Sequence, residues 1–122
     1  MRRKRICTAT LCSVPLDVYV CDGGSGYFDF GSRDMEIGLD GPWEKAMSVL
    51  LHEAVEGAFA KMNMRYMAMG YWSSSDTCVF HFDHSEFSKA MQEVSVFMAQ
   101  VVPAFSKAFD KAYERAQRKA AK

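Results

Sequence analysis

Trp43-Glu44-Lys45-Ala46-Met47-Ser48-Val49-Leu50-Leu51-His52-Glu53-Ala54-Val55-Glu56 is the stretch on which the fold turns. From Trp43 the apolar residues Met47, Leu50, Leu51, Ala54, Ala58 and Met62 recur at helical spacing. They predict a helix running to about Asn63 with a wide core-facing stripe. Within it His52 and Glu56 stand four apart, so they lie one above the other on the helix face, and Glu53 projects nearby at a different angle. Zinc accepts imidazole nitrogen and carboxylate oxygen, and a catalytic zinc keeps one position for water. Two ligands are too few for such a site. The chain's other histidines are His81 and His84.

Upstream, Asp17 to Cys21 and Tyr27 to Phe30 are short and β-favouring, and Asp22-Gly23-Gly24-Ser25-Gly26 between them predicts a hairpin loop. That glycine run lacks the Lys-Ser/Thr of a P-loop and is a turn. A third strand is expected at Met35 to Leu39. Asp40-Gly41-Pro42 then ends the sheet and starts the helix, with Asp40 available as a cap and Pro42 tolerated in the first turn.

Downstream, residues 66 to 82 read as a second hairpin around Ser73-Ser74-Ser75-Asp76. Asp83 followed three residues later by Glu86 has the pattern of a capping box. Phe87, Ala90, Met91, Val94, Phe97, Met98 and Val101 form the stripe of the helix it starts. Pro103 is expected to break or kink that helix. Residues 104 to 120 then form a third, basic helix with Phe105, Ala108, Phe109 and Ala112 on one side. The expected architecture is α+β: a small antiparallel sheet packed with three helices, in a single domain over residues 1 to 122.

With 122 residues, 49% of them hydrophobic, the chain can bury a real core. No run approaches the roughly 18 apolar residues of a membrane span. Net charge is zero, but unevenly spread. Arg2, Arg3, Lys4 and Arg5 form a basic tail over residues 1 to 6, residues 17 to 93 hold thirteen acids against five bases, and residues 107 to 122 hold six bases against two acids. Solvated faces account for this, and with no aromatic residue among Arg2 to Arg5 nucleic acid ranks low as a partner. The basic start followed by Ile6 to Leu16 has the outline of a signal peptide, but its apolar run is broken by Thr, Ser and Pro and no small-residue cleavage site follows. Cys7, Cys12, Cys21 and Cys78 form no CxxC pair, which argues for reduced thiols in a cytoplasmic protein, with two disulfides as the alternative.

His84 falls at the first turn of the second helix, so packing that turn near His52 would give a His52, Glu56, His84 ligand set with Glu53 as general base. The strand Met35 to Leu39 followed by the helix with Leu50-Leu51-His52-Glu53-Ala54-Val55-Glu56 resembles the strand and active-site helix of zincin metallopeptidases, whose usual motif is HExxH. The HExxE form, followed by His84-Ser85-Glu86-Phe87 and an apolar helix, is similar to small zincin-like proteins of bacteriophages and prophages, over roughly residues 35 to 102. The resemblance implies zinc on His52, Glu56 and His84, catalysis through Glu53, hydrolysis of a peptide or protein substrate, and a location in the cytoplasm of a bacterial host. This chain departs from the pattern in having Glu56 for the second histidine and a longer hairpin at 66 to 82.

Blander readings stand beside these. His52 is also explained as a solvated surface residue, His81 as a polar strand residue, and Glu53 as a group that holds a ligand in place. Tyr66 and Tyr71 are candidate oxyanion donors, although hairpin tyrosines ordinarily pack. Met62, Met64, Met67 and Met69 suit a core or an adaptable contact surface. The function from another class is a non-enzymatic phage interaction protein whose metal is structural and which modulates a host protein. An unpaired sheet edge at Met35 to Leu39 beside an open cleft would favour the enzyme, because such an edge binds peptide by strand addition.

Overall fold

The computed structural model describes residues 3–67 and 78–121. Four strands, β1 (Lys4–Leu11), β2 (Val14–Cys21), β3 (Gly26–Asp29) and β4 (Asp34–Gly38), precede α1 (Trp43–Lys61). A small ladder of β5 (Arg65–Met67) and β6 (Cys78–Phe80) then leads to α2 (His84–Ala120).

The sheet is mixed, where an antiparallel one was expected. Its order is β1-β2-β4-β3, with β2 and β4 parallel and the other two pairings antiparallel. β4 enters between β2 and β3 because the connection at residues 22–25 wraps over its end: Leu39 N–H donates to the Cys21 carbonyl, Gly38 N–H to Ser25 and Asp40 N–H to Gly23. Gly38 permits this, since a Cβ there would overlap the Gly23 carbonyl.

β1 takes up Lys4, Arg5 and Ile6 of the segment expected as a basic tail over residues 1 to 6. Cys7, Ala9 and Leu11 contribute to the core while Thr8 is exposed, the alternation of a half-buried strand. Its hairpin with β2 turns at Cys12 and Ser13, both with positive φ (51° and 66°). Two consecutive left-handed residues make the tight turn that matches strand twist, normally written Asn-Gly or Asp-Gly. Arg3 is tied to the sheet's outer face, paired with Asp34 and Glu36, with its guanidinium 3.5 Å over the Tyr19 ring.

Both helices cover the other face. Leu16, Val18, Val20, Met35 and Ile37 from the sheet meet Leu50, Ala54 and Ala58 of α1 and Phe97, Val101 and Phe105 of α2. Trp43 packs on Phe105 and Phe109, whereas Val55 and Phe59 share a cluster with Ala90 and Met91, so the helices run antiparallel.

α2 is one helix of 37 residues, not two. Pro103 lies on its exposed side, as does Ala99, whose carbonyl loses its helical partner to the proline. The capping box is present: Asp83 accepts from the Glu86 N–H and Glu86 accepts from the Asp83 N–H. α1 starts differently from expectation, with Pro42 as N-cap and no side-chain cap, while Asp40 pairs with Lys45. No helix among the described residues is long and apolar enough to cross a membrane.

Candidate metal site

α1 turns two flanks to two neighbours. Gly26 of β3 lies against Val49 and Glu53, and Val55 and Phe59 pack against α2. The first flank carries the motif. His52 Nε2 stands 2.9 Å from Glu56 Oε2, as the four-residue spacing requires. The other oxygen of Glu56, Oε1, accepts from Arg65 Nη1 at 2.9 Å. His52 is mostly exposed and Glu56 mostly covered.

Among the described residues Glu53 is the buried charged one, with 8% of its surface exposed. Burial pushes its carboxyl above the ordinary carboxylate range; His52 opposes the shift, Glu56 adds to it, and Arg65 opposes it. These mutual influences place Glu53 in the same electrostatic cluster as His52, Glu56 and Arg65.

Arg65 was not visible as a site residue in the sequence. The end of α1 brings it back: Met64 N–H donates to the Phe59 carbonyl and Asn63 N–H to Ala60, with Asn63 at φ 58°. This is the Schellman pattern, and Met64 completes it by packing on Phe59. Asn at the left-handed position is the signal that could have been read, because Asn tolerates that conformation better than other non-glycine residues. Arg65 then reaches Glu56, and its guanidinium lies 5.7 Å from the Phe28 ring of β3.

His84 does not join this cluster. It is the first residue of α2 and lines a groove with Phe87, Met91 and Val96. His81 follows β6, and its N–H donates to the Met64 carbonyl. Among the described residues no three His, Cys, Asp or Glu side chains gather closely enough to hold a metal ion. The donor chemistry of His52 and Glu56 nevertheless suits zinc. Zinc–ligand bonds of about 2.0–2.2 Å in a tetrahedron set ligands roughly 3.3–3.6 Å apart, wider than the 2.9 Å between His52 Nε2 and Glu56 Oε2. The pair supplies two donors where a zinc site needs at least three from the protein.

Met35–Gly38 is paired on both sides, so the free sheet edge beside the motif is β3 and not the strand expected. The Tyr66 side chain, Tyr71, Met69 and the turn at 73 to 76 lie outside the described residues. Met64 is fully buried, as a core residue should be. Cys7, Cys12 and Cys21 are free thiols. Comparison of the chain with family models, curated proteins and solved structures finds no match.

Proposed function

We propose that the protein is a zinc-dependent hydrolase of zincin-like type, a small metallopeptidase of phage or prophage origin acting in the bacterial cytoplasm. His52, Glu56 and His84 are its metal ligands and Glu53 its general base. The observation that carries this reading is the cluster on α1: an imidazole and a carboxylate within one ligand spacing, beside a carboxyl whose affinity for protons is raised by burial. When bound, zinc supplies a polarising charge for a carbonyl and an acidified water.

The chain's own residues do the rest. A base works best when its pKa is moved toward the working pH, and burial moves Glu53 in that direction. Glu56, held by Arg65, keeps a fixed orientation toward His52. β3, at the sheet edge and in contact with Glu53 through Gly26, offers main-chain groups that align an extended peptide. The reading requires the first turn of α2 to move toward α1, since His84 stands in a separate groove.

Zinc content after reconstitution tests the proposal. Wild type should hold about one zinc per chain, His52→Ala and His84→Ala should lose it, and His81→Ala should keep it. Wild-type protein without zinc would overturn the reading. A second reading, a non-enzymatic interaction protein whose metal is structural and which modulates a host protein, is favoured by one fact: β4 is paired on both sides, so Met35–Gly38 offers no open edge for a peptide. Its mark would be zinc-loaded protein that cleaves no peptide.

A further inference from the structure

The face of the sheet that the helices leave uncovered is rich in carboxylates. Asp17 of β2, Asp34 of β4 and Asp29 of β3 lie abreast in the pairing register, and Glu36 stands two residues along β4 from Asp34, on the same side. Arg5 pairs with Asp17. Arg3 is held from three directions: Nη2 pairs with Asp34, Nε stands 2.9 Å from Glu36 Oε1, and the guanidinium carbon lies 3.5 Å from the centre of the Tyr19 ring. Ser32 Oγ donates to the other oxygen of Asp34 at 2.8 Å, which fixes that carboxylate.

The site and its occupant are anchored differently. Asp34 and Glu36 stand on β4 and Tyr19 on β2, and both strands are paired on both sides. Arg3 precedes β1, whose ladder begins at Lys4 opposite Val20, and its side chain is 39% exposed. It can leave without breaking a strand pairing. Its departure strands two carboxylates side by side, only 16% and 22% exposed, and like charges so placed favour capture of another cation. A planar guanidinium answers all three groups at once, stacking on the ring while its edge donates to the carboxylates; an ammonium, a point charge, does not.

We propose that Tyr19, Asp34 and Glu36 form a receptor for an arginine side chain of a partner peptide, which the chain's own Arg3 keeps closed. The partner's arginine takes the place of Arg3. Partly exposed ion pairs hold the internal guanidinium weakly, so the site exchanges, and the apparent affinity for the partner is lowered by the fraction of time that Arg3 fills it. No group of the metal site proposed above takes part, so the receptor stands or falls separately from that reading.

The test is fluorescence anisotropy of labelled tri-arginine and tri-lysine peptides at low salt, with a metal chelator present, on the full chain as wild type, Arg3→Ala and Arg3→Ala combined with Glu36→Gln. Melting curves establish that each variant is folded. Arg3→Ala should bind tri-arginine about 10-fold more tightly than wild type, the gain for a site that Arg3 fills about nine-tenths of the time. It should prefer tri-arginine to tri-lysine, and Glu36→Gln should remove the gain. No gain in Arg3→Ala, equal binding of the two peptides, or a gain that survives Glu36→Gln overturns the proposal. Dimerisation of Arg3→Ala in gel filtration without tri-arginine binding assigns the face to a second copy and overturns it as well. Should Arg3→Ala not fold, Arg3→Lys decides alone: tri-arginine affinity no higher than wild type overturns the proposal.

Discussion

Gly26 leaves room for Glu53 at the boundary between the sheet edge and α1: a Cβ on Gly26 would lie 3.2 Å from Glu53 Cγ and 2.8 Å from the Glu36 carbonyl oxygen. The absence of a side chain on β3 is therefore what lets a carboxyl lie beneath the strand. Gly26→Ala should destabilise the protein by about 1–3 kcal/mol, the usual cost of overpacking a close contact. It should also alter any activity that depends on Glu53. Chemical denaturation together with peptide hydrolysis measures both, and a variant as stable as wild type would show that the strand yields freely.

Glu53→Gln separates stability from activity. The folded-state pKa of Glu53 is raised above its ordinary 4.5, so the folded protein binds this proton more tightly than the unfolded chain. The resulting stability is fully present below about 4.5 and is lost as pH rises through the folded-state value. Above that folded-state value wild type holds a buried charge that glutamine lacks. Glu53→Gln should thus melt at a higher temperature than wild type at neutral pH, with the difference closing in acid, while hydrolysis falls by about 10²–10⁴. Equal melting temperatures at all pH values would count against the burial argument.

Pro103 interrupts the hydrogen bonding of α2 without ending the helix. Interior proline costs about 3 kcal/mol relative to alanine when nothing offsets it, and here the freed carbonyl belongs to an exposed residue, Ala99. Pro103→Ala is expected to stabilise the protein by about 1–3 kcal/mol, read from denaturant midpoints. Destabilisation would mean that residues 104 to 120 pack separately from the first half of the helix.

The Cys12 thiol is pushed up to about 11 from 9.0, mainly by burial and then by Glu93, with Lys61 opposing. Its thiolate population in mildly alkaline solution should be about 100-fold lower than that of an unperturbed cysteine, because the thiolate is the reactive form. Alkylation of the native protein followed by peptide mapping should show Cys12 reacting that much more slowly than in the unfolded chain.

The helix Trp43–Lys61, the capped start of α2 and the motif His52, Glu53, Glu56 could be read directly from the sequence, because each is set by contacts three or four residues apart. Helical stripes, an Asp-x-x-Glu cap and a side-chain pair at one turn's spacing are local facts. β1 was hidden because its turn uses Cys12-Ser13, a pair without the usual turn chemistry, and because a basic start resembles a tail. The order of the sheet was decided by Gly38 and the loop crossing it, a close approach between segments that periodicity does not encode. α2 stays whole through Pro103 because tertiary burial of Phe97, Val101 and Phe105 on either side of the proline outweighs a local propensity. The meeting of Arg65 with Glu56 and the separation of His84 from His52 belong to tertiary structure for the same reason. They depend on how the chain reverses after α1 and on which flank of that helix each later segment covers.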